Sequence, residues 1–252
     1  MTVKELWKNI LFYTTVPKCV CCNEKLDIDD NALCKECIKD HRWRGEQLCA
    51  SCAKPIRECL CAPIYLQTHY VKRLIKLFRY RSSFDSELKV PSNELIYHIK
   101  RSNRVDLVRF ISNELSEAIV KSIPDYKDFA ITNIPRSKNR VMKYGHDHAA
   151  IIAKAVAENL GIEYVSVLRS LQKKAQKKLL RREERMTNAK YDYKRSARLD
   201  AKKIFVLDDI VTSGASMGHA AMLLKGLGAK AIVGVVMGIA YRDEHTEKGK
   251  YR

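Results

Sequence analysis

Short runs of mostly apolar residues alternate along this chain with longer stretches in which apolar residues recur every three or four positions. The runs are residues 129 to 134, 164 to 168, 204 to 207 and 231 to 236. Each has the length of a strand buried in a parallel sheet. The periodic stretches are of helical type. One is marked by Leu107, Phe110, Ile111, Leu115, Ala118 and Ile119 and ends before Pro124. Another spans residues 147 to 160 and stops at Gly161, and a third runs from Ser216 through Leu223, Leu224 and Leu227 to Gly228. Glycine just past the last periodic residue is a helix stop, because it accepts the left-handed backbone there. Residues 70 to 80 also read as a helix, with Val71, Leu74, Ile75 and Phe78 on one face and bases on the other. Residues 82 to 106 are polar and read as loops around a short helix. Strands alternating with helices predict an α/β fold on a parallel sheet.

The junction at residues 204 to 216 carries the most chemistry. Four apolar residues run into Asp208 and Asp209, a Thr212-Ser213-Gly214 turn follows, and a helix begins near Ala215 and Ser216. A strand end, a small-residue loop and a helix N-terminus together make an anion site, with backbone N–H groups at 212 to 216 aimed at the ligand. Asp208 and Asp209 stand one step before it, where they can accept hydrogen bonds from a sugar diol. Phosphate on one side and two hydroxyls on the other describe a ribose 5-phosphate.

Nine cysteines fall between Cys19 and Cys61, and none lies beyond. No secretory signal precedes them, so metal is a better reading than a disulfide framework. Cys19 and Cys22, Cys34 and Cys37, and Cys49 and Cys52 are each separated by two residues, and Cys59 and Cys61 by one. Four short pairs can supply one or two tetrahedral four-cysteine zinc sites. The simplest grouping puts Cys19, Cys22, Cys34 and Cys37 on one ion and Cys49, Cys52, Cys59 and Cys61 on the other. The equal spacers leave open a grouping in which the middle two pairs share an ion. Cys21 is left over and could stand in for Cys19. Asn23 suits the left-handed turn that such a knuckle needs. Each site is closed by cysteines, so the zinc is structural, and a head of this size would draw much of its folding energy from it.

Charge and size narrow the partners. A formal net charge of +18 in 252 residues favours polyanions such as nucleotides and nucleic acid. Bases cluster at residues 72 to 81 and 173 to 185. No apolar stretch is long enough to span a bilayer. The first 17 residues, with Leu6, Trp7, Ile10, Leu11 and Phe12, read as a short amphipathic helix that packs on its own domain, with contact to a membrane surface as the second reading. The expected location is the cytoplasm, with a peripheral membrane position as the variant of it. Domains are expected at 1–62, the N-terminal helix and double zinc ribbon, and 63–252, the α/β unit.

The run at 204 to 216 resembles the PRPP-binding motif of the type I phosphoribosyltransferases over all thirteen of its positions. With the cysteine head in front, nearly the whole chain resembles the ComF family, which is linked to DNA uptake in natural competence. The resemblance implies a parallel-sheet phosphoribosyltransferase-like domain behind a small cysteine-rich zinc ribbon head. It implies binding of PRPP or a related phosphorylated ribose with Mg2+, and competence-machinery proteins as partners. Asn133-Ile-Pro-Arg-Ser-Lys138 resembles the family's pyrophosphate-loop segment, which makes Arg136, Ser137 and Lys138 binding candidates. Gln176 and Arg185-x-x-Asn188 resemble a mobile-loop segment, which adds Arg185, with Arg181 and Arg182 beside it. Residues 70 to 80 are similar to the family's helix after the head. Tyr144-Gly145-His146-Asp147-His148 departs from the family, which has arginine before that glycine. By the resemblance, the binding set is Asp208, Asp209, Thr212, Ser213, Gly214, Ala215, Ser216, Arg136, Ser137, Lys138 and Arg185, with the two aspartates as the catalytic pair of a phosphoribosyl transfer. The alternative is a non-catalytic protein that handles single-stranded DNA and uses the same loop as a phosphate-and-ribose grip. No residue identifies itself as the base for an incoming nucleophile.

Overall fold

The computed structural model of the protein describes residues 7, 17–27, 31–80, 91–171, 191–194, 198–199 and 202–240. Most of the expected N-terminal amphipathic helix and the whole 173 to 185 basic run, Arg185 included, lie outside the described residues. In chain order the elements are α1 (Lys35–Glu46), α2 (Ile64–Thr68), β1 (Arg73–Tyr80), α3 (Pro91–Arg101), α4 (Val105–Ser122), β2 (Phe129–Asn133), α5 (Lys138–Tyr144), α6 (His148–Leu160), β3 (Leu168–Ser170), β4 (Tyr191–Tyr193), β5 (Lys203–Val211), α7 (Ala215–Gly226) and β6 (Ala231–Ala240).

Four strands form the central sheet in the order β1-β6-β5-β2, every pairing parallel. Successive residues of β5 feed opposite faces. Phe205 and Leu207 join Ile131, Val233 and Val235 under α4 and α6, where Leu115, Ile152 and Val156 close the core. Ile204 and Val206 join Leu74, Ile232 and Val236 under α7, against Met217, Ala220 and Leu224. Phe129 stacks on Phe205 with ring centroids 4.3 Å apart, which fixes the register between β2 and β5. The parallel sheet and the cysteine head are as the sequence predicts, and α4, α6 and α7 fall where the periodicity puts them. Asp147 caps α6 by accepting from the Ala150 N–H, and Gly161 ends it in the left-handed conformation.

Residues 70 to 80 are a correction. The sequence predicts a helix there, and the structure has β1, paired with β6 from Arg73↔Val233 to Tyr80↔Ala240. Five consecutive residues, Leu74 to Phe78, are buried on both faces of the sheet, so the run is a two-sided strand. A short apolar run satisfies both periods, and tertiary pairing decides between them. The expected strand at 164 to 168 is shorter than predicted. Tyr164 makes a single parallel bridge to Ile131, with Val165 N–H donating to the Ile131 carbonyl at 2.9 Å, before the chain leaves to pair β3 with β4.

The connections leaving β5 and β2 run in opposite directions. From β5 the chain passes through α7 on one face to β6. From β2 it passes through α5 and α6 on the other face to the Tyr164 bridge. The crevice beyond the carboxyl ends of two such strands is where open α/β sheets take their ligands.

Candidate functional site

Asp208 and Asp209 stand in that crevice. The β2 ladder ends at Asn133↔Leu207, while β6 stays beside β5 through Asp208↔Val236, so the two carboxylates project past the end of β2. Strand alternation sends Asp209 toward the α6 face and Asp208 toward the α7 face. His148, at the first turn of α6, meets Asp209 with Nε2 2.9 Å from Oδ2. Lys100, in the last turn of α3, places Nζ 2.8 Å from the same oxygen. The Asp209 side chain is 13% exposed. Burial alone would raise its carboxyl, but Lys100 and the His148 hydrogen bond outweigh it and hold the group well below the usual carboxylate range. For Asp208 burial and the neighbouring Asp209 charge act together and push the carboxyl well above that range. Adjacent carboxylates thus take different states: Asp209 ionised, Asp208 inclined to keep a proton.

Beyond them the turn at 212 to 214 leads into α7. Gly214 caps the helix in the left-handed region at φ 79°, and Thr212 is exposed. The first N–H groups of α7 have no partner inside the helix, and its dipole favours an anion there. Ser213 Oγ accepts from the Ala215 N–H at 3.4 Å, which tightens the turn. Tyr191, from β4, is buried next to Asp208; burial first and that carboxylate second push its phenol up to about 12, against a hydrogen bond with Ser216.

The β2–α5 segment is arranged differently. Arg136 donates through Nη1 to the His146 carbonyl at 3.2 Å and through Nη2 to the Lys100 carbonyl at 2.9 Å, and its guanidinium stacks 4.5 Å from the Tyr144 ring centroid. Its backbone N–H donates to Asp147 at 2.9 Å. Burial and the nearby Arg140 lower its pKa. Arg136 therefore ties the end of α3 to the α5–α6 turn, and it holds the carbonyl of the same Lys100 whose ammonium reaches Asp209. Ser137 stands at the N-cap position of α5 without a side-chain capping hydrogen bond, and Lys138 is exposed on the first turn.

The cysteines form two clusters, Cys19, Cys22, Cys34 and Cys37, and Cys49, Cys52, Cys59 and Cys61, with the sulfur atoms of each within 4.8 Å of one another. Four thiolates at zinc bond length enclose a space of this size, so each cluster could hold a zinc ion, in the simpler of the two expected groupings. The knuckles are built alike. Asn23 and Ala53 follow the second cysteine with φ 67° and 55°, and their N–H groups donate to the Cys19 and Cys49 carbonyls at 3.0 and 2.9 Å. Against burial, backbone N–H donors bring Cys19 down to about 7 and Cys49 to about 6, which favours thiolate in each knuckle. Cys21 joins neither cluster; its thiol donates to the Pro91 carbonyl at 3.2 Å, and burial pushes its pKa up.

No family model matches the chain. A curated relative does: the competence protein ComFC of Streptococcus pneumoniae is 26% identical over 212 residues, which cover 81% of this chain and 86% of that protein. The chain is similar to ComFC over most of both lengths. Among solved structures, an allosteric regulatory enzyme of purine biosynthesis aligns with TM-score 0.40 and 17% identity over 57% of this chain. The alignment spans 30% of that enzyme's length. A hypoxanthine phosphoribosyltransferase from Staphylococcus aureus aligns with TM-score 0.34 and 12% identity over 54% of this chain and 74% of its own. No helix among the described residues is long and apolar enough to cross a membrane.

Three residues of the candidate site escaped sequence reasoning. His148 reads in the sequence as a helix-start residue with no role, and it is Asp209's partner. A histidine directly after Asp147, at the start of the periodic stretch, was the available signal. Lys100 and Tyr191 gave none, because each reaches the carboxylates by tertiary packing from a segment distant in sequence.

Proposed function

We propose that the protein binds a 5-phosphorylated ribose, PRPP or a close relative, together with Mg2+. The observation that carries this reading is the placing of two adjacent carboxylates, one held ionised, immediately before a helix N-terminus at the switch point of a parallel sheet. The N–H groups of residues 212 to 216 hold the 5-phosphate. Asp208 and Asp209 accept from the ribose hydroxyls, and Lys100 with His148 keeps Asp209 ionised and aimed for that task. Carboxylate oxygens are the hard donors Mg2+ prefers, and the ion would supply neutralisation of pyrophosphate charge. Lys138 and Arg140 are exposed on the first turn of α5 and are the candidates to neutralise the leaving group. If phosphoribose is transferred, these residues stabilise a cation-like sugar and a departing anion. The relative's name, a competence protein, supports a role in competence, and we extend the proposal to DNA uptake.

Calorimetric titration of PRPP, with and without Mg2+, tests the reading on the wild type and on the Asp208→Asn, Asp209→Asn double variant. Binding that needs Mg2+ and is lost in the double variant is expected. A wild type that does not bind, or a double variant that binds equally well, overturns it. The net charge of +18 favours a second reading, a grip on single-stranded DNA. Its signature is an affinity for single-stranded DNA that falls steeply with salt; a flat dependence would argue against it.

A further inference from the structure

Lys76 lies in the middle of β1 and is 0% exposed. Its ammonium donates to the Cys59 carbonyl at 2.8 Å, the Cys61 carbonyl at 3.0 Å and the Leu74 carbonyl at 3.3 Å, and it lies 3.4 Å from Cys59 Sγ. An ammonium has three donors and no acceptor, and every partner here is an acceptor. Among the described residues no carboxylate pairs with it. A buried positive charge without a negative partner is strongly unfavourable. Among the described residues, the groups beside Lys76 able to carry negative charge are the thiolates of the second cluster. Four thiolates around one Zn2+ leave two excess negative charges. Lys76 therefore sits where a filled second site would supply its missing counter-charge.

The same segment is joined to the sheet. Cys61 bridges Arg73 antiparallel, and the Leu74 N–H donates to the Leu60 carbonyl at 3.0 Å. The ligand pair Cys59 and Cys61 thus runs along the free edge of β1, with Lys76 beneath it.

We propose that Lys76 is the counter-cation of the second four-cysteine site, and that through it metal retention at that site is coupled to the order of the sheet edge. The proposal rests on both clusters holding zinc, and the experiment separates the two. Native mass spectrometry of the wild type first counts the ions. Fewer than two overturns the reading of the second site itself. With two present, timed chelator challenge compares wild type with Lys76→Met. The variant is expected to release one of its two ions about ten- to a hundredfold faster, the range for loss of a supporting partner around a metal site. The other ion leaves at the wild-type rate. In the 113Cd-substituted protein one of two resonances shifts on substitution, since a lost N–H···S contact alters only the site it touches. Wild-type release rates with both resonances unmoved overturn the proposal. If Lys76→Met does not fold, amide exchange on the wild type decides. Removing one ion is expected to expose residues 74 to 78 of β1 to exchange. Protection there that outlasts the ion's loss overturns the coupling.

Discussion

Asp208 and Asp209 are chemically identical neighbours, and alternation along a strand gives them different lives. Asp209 faces Lys100 and His148; Asp208 faces the buried Tyr191 and the Asp209 charge. Substituting Asp209 by Asn removes the charge that helps raise Asp208 and leaves Lys100 close by. The Asp208 titration is therefore expected to move down toward the ordinary carboxylate range, measurable by carboxyl 13C NMR. An unmoved titration would show that burial alone sets it. Lys100→Met acts on the other member. A carboxyl whose folded value lies below its unfolded value contributes stability that is present above about pH 4 and lost as pH falls through the folded value. Without Lys100 that contribution shrinks. Urea unfolding is expected to show a loss of about 1–2 kcal/mol at pH 7, discounted because the Lys100 side chain is 32% exposed. The difference between variant and wild type should vanish at the acid end. A constant difference at every pH would mean that packing, not charge, was removed. In the sequence, the carboxylates and the loop were legible because strand, acidic pair and glycine turn are contiguous. Their partners were not, because contact between residues 100, 148 and 209 exists only after folding.

At the level of elements, legibility followed how much of an element's signal was local. Helix α6 carries its cap and its stop in sequence, and both were readable. Strand β1 carries neither, and its apolar residues fit a helix stripe as well as a two-sided strand. What decides is the ladder offered by β6, fourth in the sheet by sequence and invisible from residues 70 to 80 alone. The junction of α2 and α7 makes a different demand. A Cβ on Gly214 would stand 3.0 Å from Leu66 Cγ, and one on Gly218 would stand 2.9 Å from Tyr65 Cε1. Gly214 also needs its positive φ. Gly214→Ala is therefore expected to destabilise the protein by about 1–2 kcal/mol in chemical denaturation and to weaken anion binding at the loop. Unchanged stability and binding would show that the turn can adopt another path.

For the molecule as a whole, the cysteine clusters are continuous with the rest of the structure. Cys19, Val20, Leu33 and Cys37 belong to the same buried cluster as Ile99, Leu107 and Phe205. His41, buried on α1, lies 3.3 Å from Glu114 on α4 through Nε2, and Arg57 comes within 3.7 Å of the same carboxylate. The hydrogen bond from His41 holds the Glu114 carboxyl below its usual range. Metal analysis is expected to return about two zinc ions per chain if both clusters fill. Chelation should lower the thermal midpoint of the whole protein as one transition rather than melt the first residues separately. Two well-separated transitions would argue that the head folds alone.

The covering of β1 has a further consequence, for solubility. An edge strand is a template for pairing with another chain, and natural sheets protect such edges. Here the free side of Arg73-Leu-Ile-Lys-Leu-Phe-Arg-Tyr80 is partly closed by the Cys59–Cys61 segment, itself held in shape by the cysteine cluster. Stripping that cluster would loosen this cover and expose an apolar edge. Demetallated protein is accordingly expected to self-associate through β1, with a rise in thioflavin fluorescence that restoring zinc prevents. A chelated protein that stays monodisperse would show that the edge is protected by something other than its cysteines.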